Sequence, residues 1–232
     1  MLFDNLRPAT RDRASESLSP GGRTRQTILA KAVKIAAREG LAALSIGRLA
    51  KELEMSKSGL FAHFHSKEAL ELATVERAKE VFENAILRPA QASGRGIERL
   101  WNLCDLWLLH VERRVFSGPY FFTGALFEFA DRPGPVSEAI KNIVQDWLKA
   151  LREAVEDSQN QKQLGRLLRA EQIALELNGI LLGAHCAHLL DDRASPREAR
   201  AILLGNLREL ATKAIPASAF ESPRVLKNYL EK

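Results

Sequence analysis

Lys57, Ser58, Gly59, Phe61 and His63 stand within seven residues, and Lys67 follows four positions later. Ammonium and hydroxyl groups donate to phosphate oxygens, hydroxyl and imidazole groups exchange hydrogen bonds with base edges, and small residues let a helix lie close to a groove floor. That chemistry is recognition of a nucleic acid. Nothing in the chain is spaced for covalent chemistry: there is no Gly-rich phosphate loop, no nucleophile elbow and no strong metal spacing, so an enzyme is disfavoured and no cofactor is expected. His185 and His188 lie three apart, with Cys186, Asp191 and Asp192 nearby, a spacing that suits two imidazoles on one metal; without another well-placed ligand no metal is assigned. The two cysteines, Cys104 and Cys186, make no disulfide framework.

These residues need elements to hold them. Over 24–39, Ile28, Leu29, Ala32, Val33, Ile35 and Ala36 recur at helical spacing, and Gly40 stands where a helix stops. Ser45 caps a short helix carrying Ile46, Leu49, Ala50 and Leu53; Glu54-Met55 makes a tight connection; Ser56 caps a third helix over 57–64; and Ser66 caps a fourth, longer helix reaching about Arg88. Two short helices joined by a tight turn, with small Ala50 at their crossing and Leu53, Met55, Leu60 and Phe64 as core, describe a helix-turn-helix. A purely structural helical hairpin would show the same pattern. Lys57, Ser58, Gly59, Ala62 and His63 are left on the exposed face of the third helix.

The charge agrees. The 232-residue chain carries 34 Lys+Arg against 29 Asp+Glu, a formal +5. Twelve basic and seven acidic residues fall in the first 70 positions, so the whole excess sits there and the remainder is neutral. Such asymmetry marks a polyanion-binding part beside a neutral part. Residues 1–22 read as a leader whose own charges cancel, Arg7, Arg11 and Arg13 against Asp4, Asp12 and Glu16, which leaves the surplus between 21 and 70. With no apolar core of a signal peptide and no run of 18 apolar residues, a cytoplasmic protein with no membrane partner is expected.

The stretch 24–70, above all SIGRLAKELEMSKSGLFAHFHSKEAL, resembles the DNA-binding domain of the TetR family of transcriptional regulators. The most specific part is K-x-x-L-[FY]-x-[HY]-F-x-[SG]-K, here Lys57, Leu60, Phe61, His63, Phe64, Ser66 and Lys67. The resemblance implies that Lys57, Ser58 and Gly59 face base edges or nearby phosphates, that Phe61 and His63 lie against the sugar-phosphate backbone, and that Lys67 clamps a phosphate at a helix N-terminus. Ser45, Ile46 and Arg48 approach the backbone from the second helix, and Arg23 and Arg25 join the same interface. Three positions depart from the family pattern. Glu54 stands where Gly is frequent, so a positive φ there would cost about 1 kcal/mol; Phe61 replaces Tyr; and Gly59 replaces Thr.

Beyond the fourth helix the pattern stays helical, with breaks at 89–96, 118–119, 132–135, 160–163, 193–196 and 216 and no lasting period-two alternation. The chain is therefore read as all-α, about nine or ten helices: an N-terminal helix-turn-helix domain over 23–70, joined by a long helix to a C-terminal helical bundle over 71–215, with a tail over 216–232. The resemblance assigns the bundle to dimerisation and to sensing a small molecule. Ile173, Leu177, Ile180, Leu181 and Ala184, then Ile202, Leu203 and Leu207, form two apolar stripes read as a four-helix dimer interface in preference to internal packing; Gly179, Gly183, Ala184 and Ala187 keep one face low. Trp101, Cys104, Trp107, Phe121, Phe122, Phe127 and Trp147 are candidates for a ligand pocket, although aromatic stripes also simply fill cores. The segment EFADRPGPV, 128–136, resembles a stretch of one TetR subgroup and reads as a turn, with Pro135 opening the next helix. The expectation is a homodimeric repressor on a palindromic double-stranded operator, released by a small-molecule effector. A non-inducible or architectural DNA-binding dimer is the alternative.

Overall fold

The computed structural model describes residues 19–116, 121–190, 195–213 and 215–220. Among them the chain is helical, with one isolated bridge between Leu164 and Ala211 in place of any strand. Helix α1 (Pro20–Glu39) starts earlier than its apolar pattern: Pro20 occupies the first turn, where its missing N–H costs nothing, and Ser19 Oγ accepts from the Gly22 amide at 3.2 Å. Pro20, Gly21 and Gly22 thus belong to the helix, whereas residues 1–18 of the expected leader, with Arg7, Arg11 and Arg13, lie outside the described residues. Gly40, at φ +89°, ends α1, and a single 3₁₀ turn, Leu41–Ala43, leads to α2 (Ile46–Glu52), α3 (Lys57–Phe64) and α4 (Lys67–Phe82).

Ile28, Ala32, Leu49, Leu60 and Leu70 are fully buried and close the core of this unit. Between α2 and α3 the chain turns through Glu54 at φ +54°, and the Met55 amide donates to Ala50 O at 2.9 Å. The left-handed conformation expected at that position is present on a residue with a Cβ. Replacing exposed Glu54 with Gly is therefore expected to raise stability by about 1 kcal/mol in urea unfolding, and a neutral or destabilised variant would refute the strain.

Helix α4 does not break at Pro89. One π-helical turn, Glu83–Leu87, carries it directly into α5 (Arg88–Ala92), with the Arg88 amide donating to Glu83 O. Pro89 can neither donate an amide nor tolerate the carbonyl four residues back, and a widened turn is one way to continue past it. The chain reverses only at 93–96. Helix α6 (Ile97–Glu112) then runs through the centre of the bundle, buried on almost every side, among α7 (Phe121–Glu128), α8 (Pro135–Asn160), α9 (Ala170–Leu190) and α10 (Ser195–Glu209). Pro135 opens α8 as its position suggests. Buried Asp105 on α6 and Glu112 receive the Arg200 guanidinium at 2.5 Å each, which ties α10 to α6.

The tail is not wholly separate: Ala217–Phe220 forms a 3₁₀ turn, and the Phe220 ring meets Trp101 edge-on at 5.3 Å. Residues 221–232, and Asp191 and Asp192 near the histidine pair, lie outside the described residues. Helix α9 is long and apolar enough by composition to cross a membrane, with a mean hydropathy of 1.4. Its packing against α6, α8 and α10 instead makes it a core helix with one uncovered side.

Candidate nucleic-acid interface

Three serines build the surface around α3. Ser45, Ser56 and Ser66 Oγ accept from the amides of Arg48, Gly59 and Ala69 at 3.1, 3.0 and 3.0 Å, so the three helix starts that the sequence marks are each closed by a hydroxyl. Leu60 and Phe64 turn inward, and the other side of α3 presents Lys57, Ser58, Phe61 and Ala62 to solvent, with His63 partly covered. Ser58 Oγ lies 3.3 Å from Ser56 Oγ. Gly59 has a local reason: a Cβ there would stand 3.0 Å from the capping hydroxyl. Lys57 crosses the start of α2, its Cε 3.5 Å from where a Cβ on Gly47 would be. The Arg25 guanidinium sits over the Phe64 ring, 5.1 Å from its centroid, so α1 brings a cation to the flank of α3.

Arg48 is committed elsewhere. Its guanidinium forks onto Glu39 at 2.6 and 2.8 Å and reaches Glu52 at 3.1 Å, while Lys31 takes the second oxygen of Glu52 at 2.7 Å. Arg48 and Arg38 hold the Glu39 carboxyl far below its usual value, at about 2, and Glu39 with Glu52 pushes Arg48 up. The network braces α1 against α2 and neutralises Arg48 inside the unit. The other cations expected at the interface are Arg23, Arg25, Lys57 and Lys67. Lys67 is half-exposed at the N-terminus of α4; its Nζ donates to Ala42 O at 2.9 Å and lies 3.5 Å from Glu71. Sequence spacing locates such lysines and arginines but not their partners, because Glu39 and Arg48 meet only after the chain has turned.

The bundle residues sort differently from their stripes. Trp101, Cys104, Trp107, Phe121, Phe122 and Trp147 are all buried, while Phe127 is 76% exposed and stands apart from them. Phe82 joins several of these rings, its centroid 5.7 Å from Phe122 and 5.5 Å from Trp147, and His110 lies beside it at 6.2 Å. Phe82 is not in the expected set, because it sits on a helix whose pattern marks it as ordinary core; His110 follows Trp101, Cys104 and Trp107 on successive turns of one helix. Burial raises the Cys104 thiol to about 12, and Cys186 lies exposed on α9. A cleft of about 250 Å³ opens beside the cluster at the π turn, lined by Lys79, Phe82, Glu83, Arg99, Leu103 and Asp146 among others.

Of the expected dimer residues, Ile173, Leu177, Leu181, Ala184, Leu203 and Leu207 face the protomer's own core, Ile180 is half-buried, and Ile202 is exposed. Periodicity finds the most apolar stripe, and the stripe with most to gain from burial is the one folded inward. The outward side of α9 carries Leu175, Gly179, Gly183, Cys186 and Leu190, beside Ile202 and Gly205 on α10.

A capped helix-turn-helix with a cationic rim, set on a separate helical bundle, defines a DNA-binding regulatory protein. The family descriptions agree: "Bacterial regulatory proteins, tetR family" matches residues 28–74, and "Tetracyclin repressor-like, C-terminal domain" matches 96–203. The chain belongs to the TetR family of transcriptional regulators. Among solved structures, a TetR regulator from Chloroflexus aurantiacus aligns at 20% identity over 84% of this chain and 98% of its own, with a TM-score of 0.75. AibR, solved with isovaleryl coenzyme A and operator DNA, aligns at 23% over 80% and 97%, TM-score 0.65. A regulator from Saccharomonospora viridis, solved with choline, aligns at 19% over 83% and 99%, TM-score 0.70. A search of curated protein sequences finds no match.

Proposed function

We propose that this regulator is a homodimeric repressor that reads a palindromic operator with α3 and leaves it when a small molecule binds the bundle. The observation that carries the dimer is the outer side of α9 and α10. A Cβ on Gly179, Gly183 or Gly205 would meet nothing within 4 Å, and Leu175 and Ile202 are 67% and 52% exposed, so a flat apolar face stands unfilled. A second copy applying the same face about a two-fold axis would cover it and set the two recognition helices to read half-sites about 34–36 Å apart. The first domain, 23–70, would bind DNA, with Lys57, Ser58 and Gly59 at the bases, Ser45, Arg23, Arg25, Phe61, His63 and Lys67 at the backbone, and Arg48 as a brace. The second, 71–215, would dimerise and sense. Such a protein works in the cytoplasm, with the chromosome.

The cleft at the π turn is the candidate entrance for an effector. It mixes apolar floor with Lys79, Arg99 and Lys149 on one sign and Glu83, Asp146 and Glu153 on the other, so it suits a small amphiphile. Phe82 belongs both to its floor and to the aromatic cluster, and it ends the helix that begins at Lys67. Relatives of the same fold hold a coenzyme A thioester and choline, which supports a ligand in the bundle and leaves its chemistry to this cleft. An effector releases DNA only if it prefers a conformation whose recognition helices no longer match successive grooves.

Selection of bound DNA from a random pool tests the reading: a palindrome is expected, and an unstructured or single half-site consensus would refute the dimeric reader. On the selected site, Lys67→Ala is expected to flatten the slope of log K against log salt by about one unit. An unchanged slope would remove Lys67 from the phosphate contacts.

A further inference from the structure

Besides helix α4, which runs from one part of the molecule into the other, a side chain links them. Glu128, at the end of α7 in the bundle, extends both carboxylate oxygens into the 3₁₀ turn between α1 and α2: Oε2 accepts from the Leu41 amide at 2.7 Å and Oε1 from the Ala42 amide at 2.6 Å. These are amides at the start of a helical turn, which has no side-chain cap of its own. A carboxylate 87 residues away serves instead. The same turn is held from its other side, since Lys67 Nζ donates to Ala42 O.

Gly40 makes the approach possible. Its φ of +89° suits glycine, and a Cβ there would lie 3.1 Å from Glu128 Oε2. The opposite end of α7 carries Phe121 and Phe122, whose rings stand 5.1 Å apart and pack into the aromatic cluster. One short helix therefore reaches from the centre of the bundle to the backbone of the DNA-binding unit.

We propose that Glu128 is a positioning residue for DNA binding: its grip on the Leu41 and Ala42 amides sets the angle at which the helix-turn-helix leaves the bundle, and so the separation of the two recognition helices. The inference rests on the two-half-site reading above. A single half-site needs only α3 and its flanks, whereas a palindrome needs both units at one angle. Freeing that angle lowers the fraction of dimers competent for the palindrome without touching a DNA contact.

The test compares full-length wild type with Glu128→Ala and the isosteric Glu128→Gln, in which the amide group can accept at one oxygen only. Two quantities are read: the ratio of affinities for the selected palindrome and for one half-site, and hydrogen exchange at the Leu41 and Ala42 amides. For Glu128→Ala the expected result is a palindrome affinity about tenfold weaker, half-site affinity within about twofold of wild type, and faster exchange at those two amides but not in the buried part of α1. Glu128→Gln should show the same signs at smaller size, and it serves if the alanine variant folds poorly. Equal wild-type affinity for palindrome and half-site would refute the two-half-site reading. Unchanged exchange in the variants would refute the grip whatever the operator does, and faster exchange with an unchanged affinity ratio would refute its role in positioning.

Discussion

Replacing Gly179 with Arg is expected to turn the proposed dimer into a folded monomer whose affinity for the proposed palindromic operator falls by at least about 100-fold. The site is chosen because a side chain there meets nothing within 4 Å in the protomer, and because Arg is a better helix former than Gly, so the single chain loses nothing. Across a two-fold face of Leu175, Gly183, Ile202 and Gly205, however, a guanidinium would be buried against apolar surface and opposed by its own symmetry mate. Loss of the second half-site removes the avidity of linked binding, commonly worth 10²–10⁴ in affinity. Sedimentation reads the oligomeric state, and urea unfolding confirms that the monomer is intact. A variant that remains dimeric with wild-type operator affinity would move the interface elsewhere.

The second large effect is a loss of stability in mild acid, carried by His110. Its imidazole is buried on α6 between the rings of Phe82 and Phe116, and among the described residues neither ring nitrogen has a hydrogen-bond partner. Burial, with the nearby His185 adding repulsion, lowers its pKa from 6.5 to about 4. The native state thus keeps the ring neutral where the unfolded chain protonates it. Between pH 6.5 and 4 unfolding takes up a proton, and stability falls as pH falls, by about 1.4 kcal/mol per unit and up to about 3 kcal/mol across the window. Below pH 4 both states carry the proton and this contribution no longer changes.

Carboxyl groups act in the same range: lowered Glu39, Glu52 and Asp157 add to acid lability, and raised, buried Glu71 opposes it. The measurement is therefore a difference. His110→Leu should unfold like wild type near pH 7.5 and be more stable near pH 4.5 by about 2 kcal/mol or more, because an apolar group of similar size has no proton to take up. Parallel pH profiles for the two proteins would show that His110 does not carry the effect.

The recognition unit was the most legible part of the chain because it is local. Ser45, Ser56 and Ser66 each sit three residues from the amide they cap, Gly40 ends the helix that precedes it, and Glu54 is strained by a turn whose ends are five residues apart. Where the partner is close in sequence, type and spacing are enough. The dimer stripe and the ligand set were less legible for one shared reason. Periodicity reports which side of a helix is most apolar and not what lies against it, so Leu177 and Leu203 read as an interface when they are core. Phe127 read as part of the pocket when it is exposed, since α7 is too short for its pattern to define a side.

Sequence alone determined the helical class, the helix-turn-helix with its caps, the location of the positive surplus and the family, because these depend on contacts within a few residues or on sums over a segment. Only the tertiary structure decided that Arg48 is spent on Glu39 and Glu52, that α9 keeps its glycines outward, and that Glu128 reaches Leu41 and Ala42. Each of those joins helices whose relative placement is set by how the whole core packs, and no spacing along the chain encodes the distance between side chains that meet from different helices.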